Sequence, residues 1–272
     1  QSRNIVSFMD LGEESRISST HWTPNPTYPN PCNNSNDLLR TVKDQYPDAR
    51  DISQVTQVLA PLQAYGIEGG KDYEKIESAR LLSSNEYTLN SSLGYISIKS
   101  ALNADEVLAV AYEYTYRGQV YQVGEFSGDI TETDKALYVK MLKGTTVNPR
   151  LPMWDLMMKN VYNLGGYQIQ KEKFKFNIKY LSDTTGTKIN YLPIPGLNDK
   201  SLLQVMNLDR LDSQQDSNPD GFFDFVEGYT ILSATGKVIF PVVEPFGSHL
   251  ESVITDPVQR EHYCYPQLYD ST

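Results

Sequence analysis

The chain has 272 residues, of which 39% are apolar and 21% charged, with a formal net charge of −10 and a pI near 4.8. This composition is typical of a folded globular protein and excludes a disordered chain. The acidic balance argues against a nucleic-acid surface and against docking on anionic lipid, which both need clustered Lys and Arg.

The first 35 residues are predicted to be an irregular, proline-rich wrapping segment, because "HWTPNPTYPNPCNNSN" combines four prolines with several Asn. Residues 36–82 are predicted to be mainly helical. In "ISQVTQVLAPL" the apolar residues recur at helical spacing, and "KDYEKIESARLL" shows a similar stripe after the break at Gly69 and Gly70. No run of about 18 apolar residues occurs, so no transmembrane helix is predicted.

From residue 86 the apolar period changes to two, which predicts strands at "GYISIKS", "VLAVAYEYTYRGQVYQVGEF" and "ALYVKMLK". Arg117–Gly118 interrupts the second run and predicts a hairpin turn. Tyr112, Tyr114 and Tyr116 share one face of this run. Because both faces are apolar at its start, we expect a central, covered strand whose tyrosines pack in the core.

A later helix is predicted at about 152–164, where "PMWDLMMKNVYNL" lies between Pro152 and the pair Gly165–Gly166, with Trp154 in the core. Four further runs are predicted strands: "KFKFNIKYL", "LLQVMNL", "FFDFVEGYTIL" and "KVIFPVV". The last two are joined by the turn "SATG". The predicted fold class is therefore α+β, a β-rich soluble domain of antiparallel or mixed sheets with a few helices. It spans about 36–250 and is followed by a C-terminal tail at 251–272.

The stretch "DSNPDGFFDFVE", residues 216–227, matches the calcium-loop pattern D-x-[DN]-x-[DN]-G-x5-E. The candidate metal ligands are Asp216, Asn218, Asp220, the Phe222 carbonyl, Asp224 and Glu227. An EF-hand needs helices on both sides, whereas a polar turn precedes this stretch and a strand-like run follows it. Two interpretations stay open: a bound calcium ion, or a tight turn at Pro219–Gly221 that leads into a strand.

Cys32 and Cys264 lie near opposite ends of the sequence, too far apart for a CxxC metal knuckle. They could form a disulfide in an oxidising compartment, or they are two unrelated thiols. The sequence contains no HExxH, GxSxG, GxGxxG or Walker motif, so no catalytic residue is assigned and an enzyme is not predicted. No cofactor is required by the sequence, and calcium is the one candidate.

Four long motifs resemble the SprA/Sov family over about residues 64–250. They are "GYISIKSALNADEVLAVAYEYTYRGQVYQVGEFS", "LPMWDLMMKNVYNLGGYQIQKEKFKFNIKY", "LLQVMNLDRLDSQQDSNPDGFFDFVEGYTIL" and "GKVIFPVVEPFGSHL". The short start "MDLGEESR" is also similar, whereas the proline segment and the end after residue 250 carry less signal. Members of this family are very long chains that form a large barrel, the outer-membrane translocon of the type IX secretion system of the Bacteroidetes.

The resemblance implies that this chain is one non-catalytic segment of such a translocon, acting in protein transport and gliding motility. It would shape or cap the pore on the extracellular side of the outer membrane, in preference to the periplasmic side. The implied partners are other segments of the same chain, the outer-membrane shuttle protein PorV, a plug protein and secreted cargo. A calcium-assisted adhesin or carbohydrate-binding module is the alternative, and a hydrolase would need two carboxylates facing each other across a cleft.

Overall fold

The computed structural model describes residues 2–14 and 21–269, and the chain divides into two compact units, Gln1–Leu156 and Met157–Thr272. Both units are built from short strands in mixed or antiparallel sheets with a few short helices, which confirms the predicted fold class. Among the described residues, no helix is long and apolar enough to span a membrane. The predicted division at residues 35 and 250 differs from this partition.

Unit 1 is organised around a four-stranded sheet and two hairpins. Its strands are β1 (Ser2–Phe8), β2 (Tyr73–Arg80), β3 (Tyr87–Asn90), β4 (Tyr95–Ile98), β5 (Leu108–Val110), β6 (Tyr112–Tyr116), β7 (Gln119–Val123) and β8 (Leu137–Lys143). The sheet has the order β2-β1-β8-β5, with β1 parallel to β8 and the other pairs antiparallel. The hairpins are β3–β4 and β6–β7.

The helices of unit 1 cover one hydrophobic core. They are α1 (Leu38–Gln45) and α2 (Val55–Val58), with 3-10 turns at Pro47–Arg50, Ala60–Tyr65 and Pro152–Leu156. Central β1 and β8 supply Val6, Phe8, Tyr138 and Met141 to this core, all buried. The Tyr138 ring packs edge-on against Phe8, with 5.7 Å between ring centroids. The sheet is thus held by aromatic packing between its two middle strands.

Two predictions for the first 82 residues are wrong. Residues 2–8 are not irregular, because "SRNIVSF" supplies the second strand of the sheet. "KDYEKIESARLL" is not a helix, because residues 73–80 form β2, which pairs antiparallel with β1. The register of this pair shifts between Arg3 and Ile5. Pairing with a buried strand outweighed the helical spacing of the apolar residues. Among the described residues up to 82, α-helices and 3-10 turns occur only between residues 38 and 65.

Unit 2 is a smaller assembly of short elements. Its strands are β9 (Val161–Asn163), β10 (Tyr180–Leu181), β11 (Lys188–Ile189), β12 (Ile231–Leu232) and β13 (Lys237–Ile239), and its helices are α3 (Leu202–Val205), α4 (Ser248–Val253) and α5 (Pro257–Tyr263). There are 3-10 turns at Lys171–Lys173 and Pro266–Leu268. The sheet order is β12-β13-β9, and β10–β11 is a separate ribbon. Its core includes Leu203, Met206, Leu208, Phe240 and Ile254.

Several predictions for unit 2 are also wrong. The helix at 152–164 is replaced by a 3-10 turn and by β9, because residues 161–163 pair with β13. "LLQVMNL" is not a strand but contains α3, whose N-cap Ser201 accepts a hydrogen bond from the Gln204 amide. Of "FFDFVEGYTIL", only residues 231–232 are a strand. The segment at 251–272 is more than a tail, since it holds α5 and the buried Tyr263.

The side chains of "KFKFNIKYL" alternate between half-buried and exposed, but most of this segment does not form the predicted strand. Four apolar residues of this segment are half-buried: Phe174, Phe176, Ile178 and Tyr180. The single residue before each of them is exposed: Lys173, Lys175, Asn177 and Lys179. A hydrogen-bonded ladder forms only at residues 180–181, with β11. The predicted strand is therefore wrong for most of this segment, although its side chains alternate in burial as those of a half-exposed strand do. Strand pairing is limited to its end.

Candidate functional site

The 216–227 loop is a network of turns whose carboxylates accept hydrogen bonds from backbone amides. Asp224 accepts from the amides of Arg210 and Leu211, at 2.7 and 3.2 Å. Glu227 accepts from the Ser233 amide at 3.1 Å. Asp220 accepts from the amide of Phe222 at 3.0 Å. These contacts fix the path of the chain and occupy oxygens that a calcium ion would need.

Asp209, which lies outside the calcium pattern, anchors the turn. This buried carboxylate accepts hydrogen bonds from the amides of Asp220 and Gly221 at 3.0 and 3.1 Å. Gly221 has φ +85°, a left-handed conformation in which glycine carries no strain. The sequence pattern missed Asp209 because it precedes the loop by seven residues. The only local sequence signal for the anchoring role of Asp209 is its position in "NLDRLD", directly after an apolar run.

The structure does not gather the six predicted calcium ligands around one point. In the described part of the chain, no three His, Cys, Asp or Glu side chains are arranged to hold a metal ion. The flanks also differ from an EF-hand, because α3 ends at Val205 and strand β12 follows at Ile231. The geometry favours the turn interpretation of this loop. Calcium binding there stays a prediction, tested by thermal melting at millimolar calcium, which raises the melting temperature of a binding protein.

The aromatic rings beside this loop pack into a cluster and do not form an open platform. Phe223 meets the rings of Phe174 and Phe176 edge-on, with centroids 5.6 and 5.2 Å apart. Phe174 and Phe225 meet in the same way at 5.6 Å. All four rings are half-buried. This arrangement is typical of core packing, whereas sugar binding would use exposed coplanar faces.

Of the three tyrosines predicted to pack in the core of a covered strand, two lie at the surface of the β6–β7 ribbon, so that prediction is wrong. Tyr112 and Tyr116 are 38% and 45% exposed, and Tyr114 is half-buried. The rings of Tyr112, Tyr114 and Tyr121 are stacked, with successive centroids 6.3 and 5.2 Å apart. The predicted turn at Arg117–Gly118 is confirmed, with positive φ at both residues.

The proline-rich segment closes one edge of this ribbon. The amide of Asn33 donates to the Gln122 carbonyl at 2.8 Å, and its side chain exchanges hydrogen bonds with Gly124. Tyr114 donates its hydroxyl proton to the Pro31 carbonyl at 2.7 Å. These contacts pair the outward carbonyl of Gln122 and both backbone groups of Gly124, so the proline-rich segment lies along the β7 side of the hairpin.

A cleft of about 610 Å³ lies beside the ribbon, and Glu125 is the buried charge in its wall. Glu125 accepts two hydrogen bonds from the Arg50 guanidinium, at 2.8 and 3.0 Å, and pairs with Lys43 at 2.7 Å. Burial acts to raise the Glu125 pKa, but hydrogen bonds from Arg50, Lys43 and the Tyr138 amide lower it below its usual value. The carboxylate is therefore fully engaged in structure.

A second buried ion pair joins β8 to the segment after β1. Lys140 pairs with Glu13, and the ammonium also donates to the carbonyl of Met9. The other Glu13 oxygen accepts from the Leu11 amide at 2.6 Å. Burial raises the pKa of Glu13 to about 7, and the attraction of Lys140 opposes this shift. The sequence missed this pair because its members are distant in the chain.

Both cysteines are buried and both are free thiols in the structure, so the disulfide that the sequence allowed is not formed there. Cys32 lies in unit 1, where its sulfur accepts from the Asn34 amide at 3.4 Å. Cys264 belongs to the core of unit 2, and burial raises its pKa. We expect a thiol-labelling count on the denatured chain without reductant to find two thiols per molecule. A count of zero would contradict the structure.

No protein-family model matches this sequence, and no curated protein matches it either.

Proposed function

We propose that this chain is a non-catalytic segment of the outer-membrane translocon of the type IX protein secretion system. The observation that carries the proposal is the resemblance of four long motifs, over about residues 64–250, to the SprA/Sov family. The chain would shape or cap the pore on the extracellular side. It would contact other segments of the translocon chain, PorV, the plug protein or the cargo.

The hydrogen bonds of three buried or half-buried acids support a structural role. Glu125, Asp209 and Asp224 direct their oxygens at backbone amides or at cations of the same unit. A general acid or base must instead present its carboxyl group to a substrate. These three carboxylates stabilise turns and the core.

The surface supports a role in protein contact. The β6–β7 ribbon exposes aromatic and aliphatic side chains, among them Tyr116 at 45% and Val120 at 54%. Tyrosine is enriched at protein interfaces because its ring gives contact area and its hydroxyl gives a hydrogen bond. The net charge of −10 adds repulsion of anionic polymers and steering of basic partners.

A chromosomal variant tests this function in cells. Replacing Tyr116 and Val120 with Ser in the full-length gene is expected to reduce cargo secretion and gliding without lowering the level of the protein. The matched control replaces Leu89 and Leu93, exposed residues of the β3–β4 hairpin region, with Ser. Equal secretion in the two variants would argue against the ribbon as a contact. Expression of the chain alone without detergent checks that it is a water-soluble segment, and a detergent requirement would contradict this.

A calcium-assisted adhesin or carbohydrate-binding module is the second candidate. The observation that favours it is the stack of Tyr112, Tyr114 and Tyr121, whose neighbouring rings are inclined by only 29° and 17°. Tyr121 is buried, so a ligand would meet the partly exposed ring of Tyr112 at the end of the stack. Glycan-array binding that is lost in Tyr112→Ser would favour this function over the translocon, and an array without hits would remove it.

A further inference from the structure

Three metal-ligating side chains of unit 2 converge at one point of its surface. The Tyr180 hydroxyl donates to Asp183 Oδ1 at 2.5 Å and lies 3.5 Å from His262 Nε2. The other oxygen of the same carboxylate, Asp183 Oδ2, lies 3.3 Å from His262 Nε2. The pattern of the sequence did not suggest this group, because His262 is 79 residues away from Asp183.

The three residues lie on a strand, a turn and a helix whose hydrogen bonds fix their backbone. Tyr180 belongs to β10, and Asp183 begins a tight turn in which the Ser182 amide donates to the Thr187 carbonyl at 2.9 Å. His262 lies in the last turn of α5, which begins at Pro257 with Asp256 as its N-cap. Buried Tyr263 packs edge-on against the Tyr180 ring, with centroids 5.2 Å apart. This aromatic contact holds α5 against the ribbon, so the donors are positioned before any ligand arrives.

The spacing of the donors fits a metal ion. Bonds of 2.0–2.2 Å to nitrogen and oxygen in a tetrahedral site place neighbouring donor atoms about 3.4 Å apart. Two of the three separations here are 3.3 and 3.5 Å. The Tyr180 hydroxyl also donates a short hydrogen bond to the other carboxylate oxygen, Asp183 Oδ1, and this proton would leave when the phenol binds a cation. Imidazole and carboxylate ligands together suit zinc, copper, nickel or iron, whereas calcium prefers oxygen alone.

We propose that Tyr180, Asp183 and His262 form a three-ligand site for a divalent transition-metal ion of the Zn²⁺ and Cu²⁺ class. Water would complete the coordination sphere, because His262 and Asp183 are 50% and 60% exposed. Binding releases the tyrosine proton to solvent, and no bond or oxidation state changes otherwise. The site bridges β10 and α5, so the ion would tie the C-terminal helix to the ribbon.

The competing explanation is a surface hydrogen-bonded ion pair with no ligand. An exposed pair of this kind contributes little to stability. It predicts that zinc leaves the melting temperature of the chain unchanged. A metal site predicts a melting temperature that rises with zinc concentration, since an ion that binds only the folded state stabilises it by mass action.

Calorimetric titration of the whole chain with ZnCl₂ tests the proposal. We expect one saturable site per chain, and we expect His262→Ala and Asp183→Asn each to weaken binding by about tenfold or more. His21→Ala is the matched control, because His21 is an exposed histidine of unit 1. It should bind zinc as the unaltered chain does. The affected side chains are exposed, so the melting temperatures of the metal-free variants should stay close to that of the parent.

A titration with Cu²⁺ isolates the tyrosine. A phenolate bound to Cu²⁺ absorbs visible light, and this band should disappear in Tyr180→Phe. An excess of Ca²⁺ should not displace zinc, which separates this site from the 216–227 loop. The proposal is overturned by the absence of saturable zinc binding. Binding that depends on His262 but is unchanged in Asp183→Asn and Tyr180→Phe would also overturn it, because that result describes adventitious binding to one histidine.

Discussion

At the scale of single residues, Glu125 illustrates how a buried carboxylate is held ionised. Its pKa is lowered in the folded state, because hydrogen bonds from Arg50, Lys43 and the Tyr138 amide outweigh the effect of burial. A lowered pKa means that the contribution to stability is complete above the unfolded-state value of 4.5 and is lost as the pH falls through the folded-state value.

Replacing this carboxylate should therefore destabilise unit 1. We expect Glu125→Gln to lower the free energy of unfolding by about 3 kcal/mol at neutral pH, since it leaves the cations without their buried partner. Urea unfolding followed by tryptophan fluorescence measures this, because both tryptophans, Trp22 and Trp154, lie in unit 1. The control is Glu77→Gln, an exposed position of β2. Equal midpoints for the two variants would contradict the network.

Glu13 has the opposite pH dependence. Its pKa is raised from 4.5 to about 7, chiefly by burial, so between these values the folded chain holds a proton that the unfolded chain releases. The stabilising contribution of Glu13 to the free energy of unfolding is thus present in full below about pH 4.5 and is lost as the pH rises through about 7. Its charged neighbours are Lys140, which attracts the carboxylate, and Asp10, which repels it.

Glu13→Gln should remove this pH dependence. The amide cannot ionise, so the free energy of unfolding of the variant should fall less than that of the parent between pH 5 and pH 8. Each unit of pKa shift corresponds to about 1.4 kcal/mol, so the parent should lose about 3 kcal/mol more of its free energy of unfolding than the variant between pH 5 and pH 8. Urea titrations at several pH values measure it. Parallel pH profiles for parent and variant would show that Glu13 titrates normally.

At the scale of elements, the β6–β7 turn is defined by two left-handed residues. Arg117 has φ +50° and Gly118 has φ +79°, the combination that a two-residue hairpin turn with matching twist requires. We expect Gly118→Ala to lower the free energy of unfolding of unit 1 by about 1 kcal/mol, because a Cβ is unfavourable at positive φ. Gly128→Ala is the control, as Gly128 has open space and no positive φ. Equal effects would contradict the turn.

The β12–β13 turn depends on a close backbone approach. A Cβ on Gly236 would lie 1.7 Å from the Gly166 carbonyl oxygen, whereas a Cβ on Gly186 meets no atom within 4 Å. Both glycines have similar φ, +61° and +65°. Gly236→Ala should therefore lower the free energy of unfolding by about 1–3 kcal/mol more than Gly186→Ala does, because of overpacking. Its melting temperature should be correspondingly lower. Circular dichroism melts compare the two, and matching melting temperatures would contradict the approach.

The elements also show what a sequence can predict. Hairpin β6–β7, its turn and β8 follow from period-two patterns and from Arg117–Gly118, which are local signals. Strand β2 cannot be predicted from local signals, because the spacing of its apolar residues fits a helix. Its strand conformation depends on pairing with β1. The same limit applies to α3 and β9, which are short and depend on neighbours far along the chain.

The contacts that fix the candidate sites are likewise non-local. The calcium pattern at 216–227 was visible in the sequence, but Asp209 and the Ser233 amide decide where its carboxylates point. The group of Tyr180, Asp183 and His262 was not visible, because its members come from a ribbon and a helix that only the fold brings together. Sequence identified the residue types, and packing determined their partners.

At the scale of the whole molecule, two β-rich units carry an acidic surface and one exposed aromatic ribbon. We propose that this chain acts by contact, as an accessory segment of a secretion translocon. Buried ion pairs and short turns would keep each unit rigid, and the ribbon would meet a partner. Such a protein needs no catalytic group, and its function should be visible in which molecules it touches.

The most direct test is photo-crosslinking in living Bacteroidetes cells from the full-length protein. A crosslinking amino acid at Tyr116 or Val120 should capture PorV, the plug protein or a cargo protein, while the same probe at buried Val6 should react only within the chain. Mass spectrometry identifies the captured partner. If neither ribbon position nor other exposed positions capture a component of the secretion system, the proposed role in the translocon is contradicted.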